Sequence, residues 1–292
     1  MDTTWVALAA GLELASCLSF VVVFRLFFDR LPVPEGRALA WTTMASGALF
    51  PGGGIGGLAI GGWLMHFTGA PTPWIRRRSS ALFCMTTAAS GAAIALASAL
   101  LLVGAPGPHD FVRAAVPLVA TAAITLLVLA TPRVIRRSRL RGATRIADLV
   151  GGLLDAQRSA RRMHWRHLGA VGYLAFDVAV LWATFRAAGG TPPIAALTLG
   201  YTIGYLANAL PIPGGVGILD AGLTGALVLY GASPLHASAA VVVYHAIAVW
   251  TPSLGGLIAY TWLRPRLLPA AGSVSVEVSA PGSSAVLTRG QA

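Results

Sequence analysis

A Pro-Gly-Gly triplet occurs twice in this chain, with Pro51 and Pro213 separated by 162 positions. An apolar segment leads into each copy and another follows it, over residues 38–50 and 54–67, then 194–210 and 216–230. Proline removes a backbone hydrogen-bond donor, and glycine loses more conformational entropy on folding than any other residue. Both residues therefore interrupt a helix. Each copy therefore predicts a helical hairpin that enters the membrane and turns back. The break residues are Pro51, Gly52, Gly53, Pro213, Gly214 and Gly215, with Gly217 just beyond.

The register of the repeat extends past the triplet. At the same offset Ala59 matches Ala221 and Gly69 matches Gly231. A repeated pair of apolar segments interrupted by glycine and proline indicates a transporter binding site. The alternative is that the glycines only allow helices to pack closely.

Composition places the chain in a membrane. Hydrophobic residues make up 56% of the 292 positions, charged residues 11%, and the mean hydropathy is +0.73. A soluble domain carries about 25% charged residues. The net charge of +11 comes from 21 arginines in short loops without interleaved aromatic residues, which argues against nucleic acid and is typical of cytoplasmic loops.

Five stretches reach the roughly 20 apolar residues that a membrane-spanning helix needs. The first arm of the first hairpin has only 13 residues and is too short to cross a core about 30 Å thick. The sequence thus predicts an all-α integral membrane protein with about five full spans and two re-entrant helical hairpins. The predicted spans are residues 4–28, 80–104, 111–131, 165–188 and 235–263.

The arginines predict the topology. Clusters on both sides of the first hairpin favour the cytoplasm, so that hairpin must return to the side it left. Continuing along the chain places the N-terminus outside the cell membrane, the C-terminus in the cytoplasm and 18 of the 21 arginines near the inner face. The two hairpins then open from opposite faces, which is an inverted repeat. The three arginines elsewhere are Arg113, Arg186 and Arg289.

This topology predicts one membrane domain over residues 1–268, followed by a disordered tail over 269–292. The first repeat covers about 4–104 and the second about 164–266. The connector between them, 105–163, is expected to include an amphipathic helix on the inner surface.

Four ionisable residues interrupt the apolar segments, and such residues usually face a cavity or a partner. Glu13 and Asp177 lie 38 and 36 residues before the two prolines, so they are candidate proton or ion sites. Alternatively, each accepts hydrogen bonds from a neighbouring hydroxyl.

Asp220 lies near the start of the half-helix that follows the second break. There it either binds a cation or headgroup, or is a structural partner of backbone amides that lack a hydrogen-bond acceptor. His245, with Tyr244 and Asn208, is expected to line the same pocket. The alternative for His245 is a buried neutral ring bonded to a carbonyl. No metal-ligand spacing, nucleotide motif or catalytic motif is present, so we expect no enzyme activity, cofactor or metal.

The second break resembles the membrane region of lysylphosphatidylglycerol synthases, a flippase-like family. The resemblance rests on Pro-Ile-Pro-Gly-Gly-Val-Gly-Ile-Leu-Asp over 211–220, Tyr244–His245 and Trp-Thr-Pro-Ser-Leu-Gly over 250–255. Asp220 stands where the family has Glu, and His245 where it has Arg, so headgroup recognition is expected to differ. No soluble aminoacyl-transfer domain follows Arg266 here, so lipid aminoacylation is not expected.

What the resemblance implies is a flippase-like transporter of a polar-headgroup lipid, whether phospholipid, aminoacyl-lipid or glycolipid. Its partners would be membrane lipids and envelope-lipid enzymes. Two alternatives stay open. One is a gradient-driven transporter of a small solute or ion, and the other is a non-transporting scaffold for envelope lipid or glycan synthesis.

Overall fold

The computed structural model describes residues 1–50, 53–108, 110–137, 144–162, 164–205 and 218–267. These residues form helices and connecting turns, with no strand among them. A short 3-10 turn, Trp165–His167, precedes α7. The α-helices are α1 Thr3–Phe27, α2 Val33–Leu49, α3 Gly53–His66, α4 Thr72–Leu102, α5 Phe111–Arg137, α6 Thr144–Arg161, α7 Leu168–Ala187, α8 Ile194–Gly204, α9 Ile218–Leu229 and α10 Pro234–Leu267.

The expectation of five full spans is confirmed. Five helices within the described residues are long and apolar enough to cross a membrane. The third, α5, is largely exposed and packs mainly against α4, which suits a helix whose surface faces lipid. The five spans are Thr3–Phe27, Thr72–Leu102, Phe111–Thr131, Trp165–Ala187 and Pro234–Arg266.

The first predicted hairpin is a pair of antiparallel helices in close contact. Gly57 on α3 packs against Gly47 on α2, and Gly61 packs against Thr43, so the contact moves backward along α2 as α3 advances. A Cβ atom at Gly57 would lie 2.8 Å from the backbone nitrogen of Gly47. Gly53, at the start of α3, has a φ of +50°, a conformation that favours glycine.

The second hairpin is built in the same way. Gly204 on α8 packs against Leu223 on α9, and Gly200 packs against Leu227. A Cβ atom at Gly204 would lie 2.6 Å from the Cα atom of Leu223. The α8 and α9 helices are therefore also antiparallel and nearly touch along their backbones. At 11 and 12 residues, both are too short to span a core of about 30 Å.

The first helices of the two predicted repeats, α1 and α7, run antiparallel over their whole length. The backbone nitrogen of Asp2 donates to the carbonyl oxygen of Ala187 at 3.1 Å, near one end. Farther along, the hydroxyl of Ser16 donates to the carbonyl oxygen of Tyr173 at 2.9 Å. Corresponding helices with opposite directions are what an inverted repeat requires. This pairing also places Glu13 and Asp177 at the same level.

Other contacts cross between the predicted repeats. Helix α2 of the first hairpin packs against α10, and α8 of the second hairpin packs against α4. One apolar core, which includes Phe24, Leu39 and Leu82, lies mainly among α1, α2 and α4. A second core, which includes Leu181 and Leu223, lies mainly among α7, α8, α9 and α10. Each hairpin is therefore held between helices of both repeats.

Helix α4 begins at Thr72, eight residues before the predicted start of that span. The difference arises because two arginines in its first turns bind carboxylates on α6. Arg76 contacts Asp148 at 2.6 Å, and Arg77 donates to both oxygens of Asp155 at 2.6 and 2.7 Å. These ion pairs hold the predicted amphipathic helix against α4. The bond from Arg77 holds the pKa of Asp155 below its usual value.

Asp155→Asn is expected to loosen α6 by a small amount. A lowered folded-state pKa means that the ion pair stabilises the fold above the unfolded pKa of about 3.9, and that this contribution is lost as the pH falls through the folded-state value. Exposed pairs contribute less than about 1 kcal/mol, so amide exchange in α6 should rise by at most about fivefold at pH 7.

The matched control for this measurement is Asp29→Asn, an exposed carboxylate outside α6. At a pH below the folded-state pKa of Asp155, the Asp155→Asn variant and the native protein should exchange α6 amides at the same rate. A difference that persists at that pH would show that Asp155 acts through packing and not through its charge.

Candidate functional site

The predicted site residues are divided by what the structure describes. The side chains of Glu13, Asp177, Asp220, Tyr244 and His245 are described, and so is Gly53. The remaining predicted site residues lie outside the described residues. They are Pro51, Gly52, Asn208, Pro213, Gly214, Gly215 and Gly217.

Asp220 and His245, which the sequence placed in one pocket, lie in direct contact. Their role in binding stays a prediction. Nδ1 of His245 is 2.8 Å from Oδ1 of Asp220, and the pair carries opposite charges when the imidazole is protonated. The contact is close enough for an ion pair but lacks hydrogen-bond geometry, and Oδ1 has no hydrogen-bond partner among the described residues. The two side chains keep 25% and 19% of their surface exposed, although Oδ1 itself is buried.

The position of Asp220 on its helix explains why a carboxylate is stable there. Asp220 lies in the first turn of α9, which begins at Ile218. The first amides of a helix lack intrahelical acceptors, and the positive end of the helix dipole attracts negative charge. His245 lies on α10, which packs against α9, so the pair bridges the hairpin and the last span.

Tyr244 contacts a different carboxylate from its neighbour His245. Its hydroxyl donates to Oδ1 of Asp177 at 3.0 Å, and the hydroxyl of Tyr201 on α8 donates to Oδ2. Successive residues of an α-helix point about 100° apart, so adjacent side chains on α10 reach separate groups. The sequence placed Tyr244 in the pocket of Asp220, whereas in the structure its hydroxyl contacts Asp177. A role for Tyr244 in binding stays a prediction.

Glu13 is buried beside Asp177. The two carboxyl groups interact electrostatically, and Glu13 keeps only 6% of its surface exposed. The thiol of Cys17 lies 3.7 Å from Oε1, while Oε2 has no hydrogen-bond partner among the described residues. We call Glu13, Asp177, Tyr201 and Tyr244 the buried carboxyl cluster.

Two further tyrosines surround this cluster. Tyr205 stacks on Tyr201 with ring centroids 5.4 Å apart, and Tyr173 interacts electrostatically with both carboxyl groups. Four of the six tyrosines in the chain thus gather around the buried carboxyl groups. Sequence reasoning missed Tyr173, Tyr201 and Tyr205. The available signal was spacing, since Tyr173 and Asp177, like Tyr201 and Tyr205, are four residues apart on one helical face.

The site therefore has two parts with different chemical abilities. The Asp220–His245 pair is partly exposed and offers one acceptor and one donor, which suits a polar or zwitterionic group. The buried carboxyl cluster is sealed, since its four residues are each at most 7% exposed, and it suits a small ion or a proton. Tyr244 and His245 are consecutive on α10, so movement of that helix acts on both parts.

A separate cavity of about 280 Å³ lies elsewhere, between the α7–α8 and α9–α10 connections. Its lining includes Pro193, Tyr230, Ser233 and His236, and none of the predicted site residues. Asp220 and His245 are therefore not the walls of this cavity.

Comparison with known proteins identifies the family of this chain. Residues 1–256 match the family described as the lysylphosphatidylglycerol synthase TM region. The chain belongs to this family. The match covers α1 to most of α10, and both parts of the site lie inside it.

One curated relative in this group is a UPF0104 membrane protein from Methanothermobacter thermautotrophicus. It is 37% identical over 91 residues, which make up 31% of this chain and 26% of the relative. The alignment thus spans about a quarter of the relative's length. No solved structure matches the chain.

Proposed function

We propose that this family member moves a polar-headgroup lipid between the leaflets of the membrane. The observation that carries the proposal is the Asp220–His245 pair. It joins the second hairpin to the last span and is partly exposed, and its buried oxygen Oδ1 of Asp220 has no hydrogen-bond partner among the described residues. Ionisable groups inside apolar helices are costly and usually serve a substrate pathway.

In this mechanism the two side chains bind opposite ends of one headgroup. The carboxylate of Asp220 attracts an ammonium group or accepts bonds from hydroxyl groups, while the ring of His245 donates to a phosphate or hydroxyl oxygen. The acyl chains stay among the apolar helix surfaces, so only the headgroup has to leave water. No covalent chemistry is required, and we propose a transport role and not an enzymatic one. Envelope-lipid enzymes would supply or consume the lipid.

Binding can be tested with lipids that carry a photoreactive group. A probe attached to the headgroup should crosslink to α9 and α10 near Asp220 and His245. A probe at the end of an acyl chain should instead label outward-facing residues of α5, such as Leu127, which is 69% exposed. Asp220→Asn should reduce labelling by the headgroup probe only.

Asp110→Asn is the control, because Asp110 is an exposed carboxylate that pairs with Arg113 at 3.2 Å. Equal headgroup labelling in both variants would contradict a lipid site at Asp220. Protection of the site by a water-soluble solute, with no headgroup labelling, would favour the solute transporter instead.

The proposed orientation places the N-terminus outside and the C-terminus in the cytoplasm. In a background where Cys17 and Cys84 are replaced by alanine, single cysteines at the exposed positions Pro106 and Arg77 test it. An impermeant thiol reagent added to intact cells should label Pro106→Cys at once and Arg77→Cys only after lysis. External labelling at Arg77 would make the first hairpin region a full crossing and would reject the topology.

A further inference from the structure

The buried carboxyl cluster is the strongest feature that the headgroup site does not use. It holds two acidic groups inside the membrane-spanning helices, on α1 and α7. Their described neighbours carry no positive charge. Glu13 faces Cys17 on its own helix, Asp177 and Tyr173 on α7, and Tyr244 on α10. Two adjacent carboxyl groups in a medium of low polarity do not both ionise, so one of them keeps a proton.

The hydrogen bonds indicate which group keeps it. Asp177 accepts one hydroxyl bond on each of its oxygens, from Tyr201 and from Tyr244. Bonds donated to both oxygens favour the ionised form of a carboxyl group. Glu13 receives only a weak thiol contact at Oε1, and its buried Oε2 has no partner among the described residues. Nothing there compensates a negative charge.

The same arrangement argues against a metal cation. A hard cation binds about six or more oxygen atoms. Both oxygens of Asp177 already accept hydrogen bonds, which leaves Oε2 of Glu13 as the uncommitted carboxyl oxygen of the cluster. A single oxygen suits a proton far better than a dehydrated cation.

We propose that Glu13 holds an exchangeable proton beside an ionised Asp177, and that this proton drives lipid translocation. The driving role rests on the proposed function, whereas the proton site does not. The cluster is sealed in this structure, so exchange requires an opening that lets water reach Glu13. Once water takes the proton, two like charges face each other between α1 and α7, and repulsion favours separation of these helices. Tyr244 then transmits the change to His245 through their shared helix.

Infrared spectroscopy of the purified protein tests the proton site without any transport assay. At neutral pH surface carboxyl groups are ionised, so the C=O stretch of a protonated carboxylic acid reports a buried group. We expect this band in the native protein and expect it to disappear as the pH is raised. Glu13→Gln should abolish it, whereas Asp177→Asn and the control Glu35→Gln, on the first turn of α2, should retain it.

Cys17→Ala is a milder second variant, in case Glu13→Gln disturbs folding. Removing the thiol next to Oε1 should shift the band if the proton is on Glu13, and should leave it unmoved if the proton is on Asp177. A band that survives Glu13→Gln, or that Na⁺ removes at constant pH, would overturn the proton site.

The coupling is tested separately in liposomes. An imposed pH gradient should accelerate lipid translocation by the native protein, and the ratio of rates with and without the gradient should fall to about one in Glu13→Gln. A native ratio of one, in protein that does move lipid, would overturn the coupling alone. Native protein that shows the infrared band but moves no lipid would reject the proposed function and its coupling, and would leave the proton site standing.

Discussion

Asp220→Asn is expected to slow lipid translocation by about tenfold or more, and His245→Gln by a similar factor. Each change removes one partner of a 2.8 Å contact and leaves the other without that partner. Breaking a fully buried pair costs about 3–5 kcal/mol. These side chains keep 25% and 19% of their surface exposed, so a smaller loss of about 1–3 kcal/mol follows, and 1.4 kcal/mol is a factor of ten.

The double variant shows whether the two residues serve one ligand. Because the two side chains contact each other, loss of either also disturbs the grip of the other on the headgroup. The double variant should therefore be no slower than the poorer single variant. Asp110→Asn, on the exposed Asp110–Arg113 pair, should translocate at the native rate. Fully additive losses in the cycle would show that Asp220 and His245 act independently, and the shared headgroup site would have to be abandoned.

Gly57→Ala is expected to destabilise the protein strongly, whereas Gly54→Ala on the same helix is expected to be tolerated. A Cβ atom at Gly57 would lie 2.5 Å from the carbonyl oxygen of Thr43 and 2.8–2.9 Å from the backbone of Gly47. Backbone atoms cannot rotate away, so α2 and α3 must move apart. Overpacking of this kind costs about 1–3 kcal/mol, occasionally more.

Comparing Gly57→Ala with Gly54→Ala separates the effect of close packing on stability from the effect of helix propensity. No atom lies within 4 Å of a Cβ atom at Gly54, and alanine there gains up to about 1 kcal/mol of helix propensity. The second hairpin offers the same comparison, with Gly204 against the backbone of Leu223 and Gly225 in open space. The melting temperature in detergent should fall for Gly57→Ala and Gly204→Ala but not for the other two. Equal melting temperatures within each pair would show that close backbone contact does not hold the hairpins.

Much of the fold was predictable because the membrane imposes strong rules on sequence. Length and hydropathy identify the spans. The two re-entrant breaks stay a prediction. The error at the start of α4 came from treating Arg76 and Arg77 as loop residues. Carboxylates 72 and 78 residues later along the chain hold them, and no local pattern shows such partners.

The two parts of the site differed in how predictable they were. The proximity of Asp220 and His245 could be predicted from their depth in the membrane. Ten residues of α10 rise about 15 Å, which places His245 about halfway through a core of about 30 Å. A hairpin that turns at the middle of the membrane has its break at the same depth. Rotation about a helix axis cannot be counted in this way. Whether Tyr244 faces Asp220 or Asp177 depends on how α7, α8 and α10 pack, and so does the contact of Tyr201 with Asp177.

The central claim is that this protein moves lipid between leaflets, and one measurement tests it most directly. Purified protein is reconstituted into liposomes that carry a headgroup-labelled phospholipid in one leaflet. The appearance of this lipid in the other leaflet is followed, together with the entry of a water-soluble solute into the liposomes. The account predicts lipid movement well above protein-free liposomes, much slower movement with Asp220→Asn, and no solute entry. Solute entry without lipid movement, or equal lipid movement by the native and Asp220→Asn proteins, would contradict it.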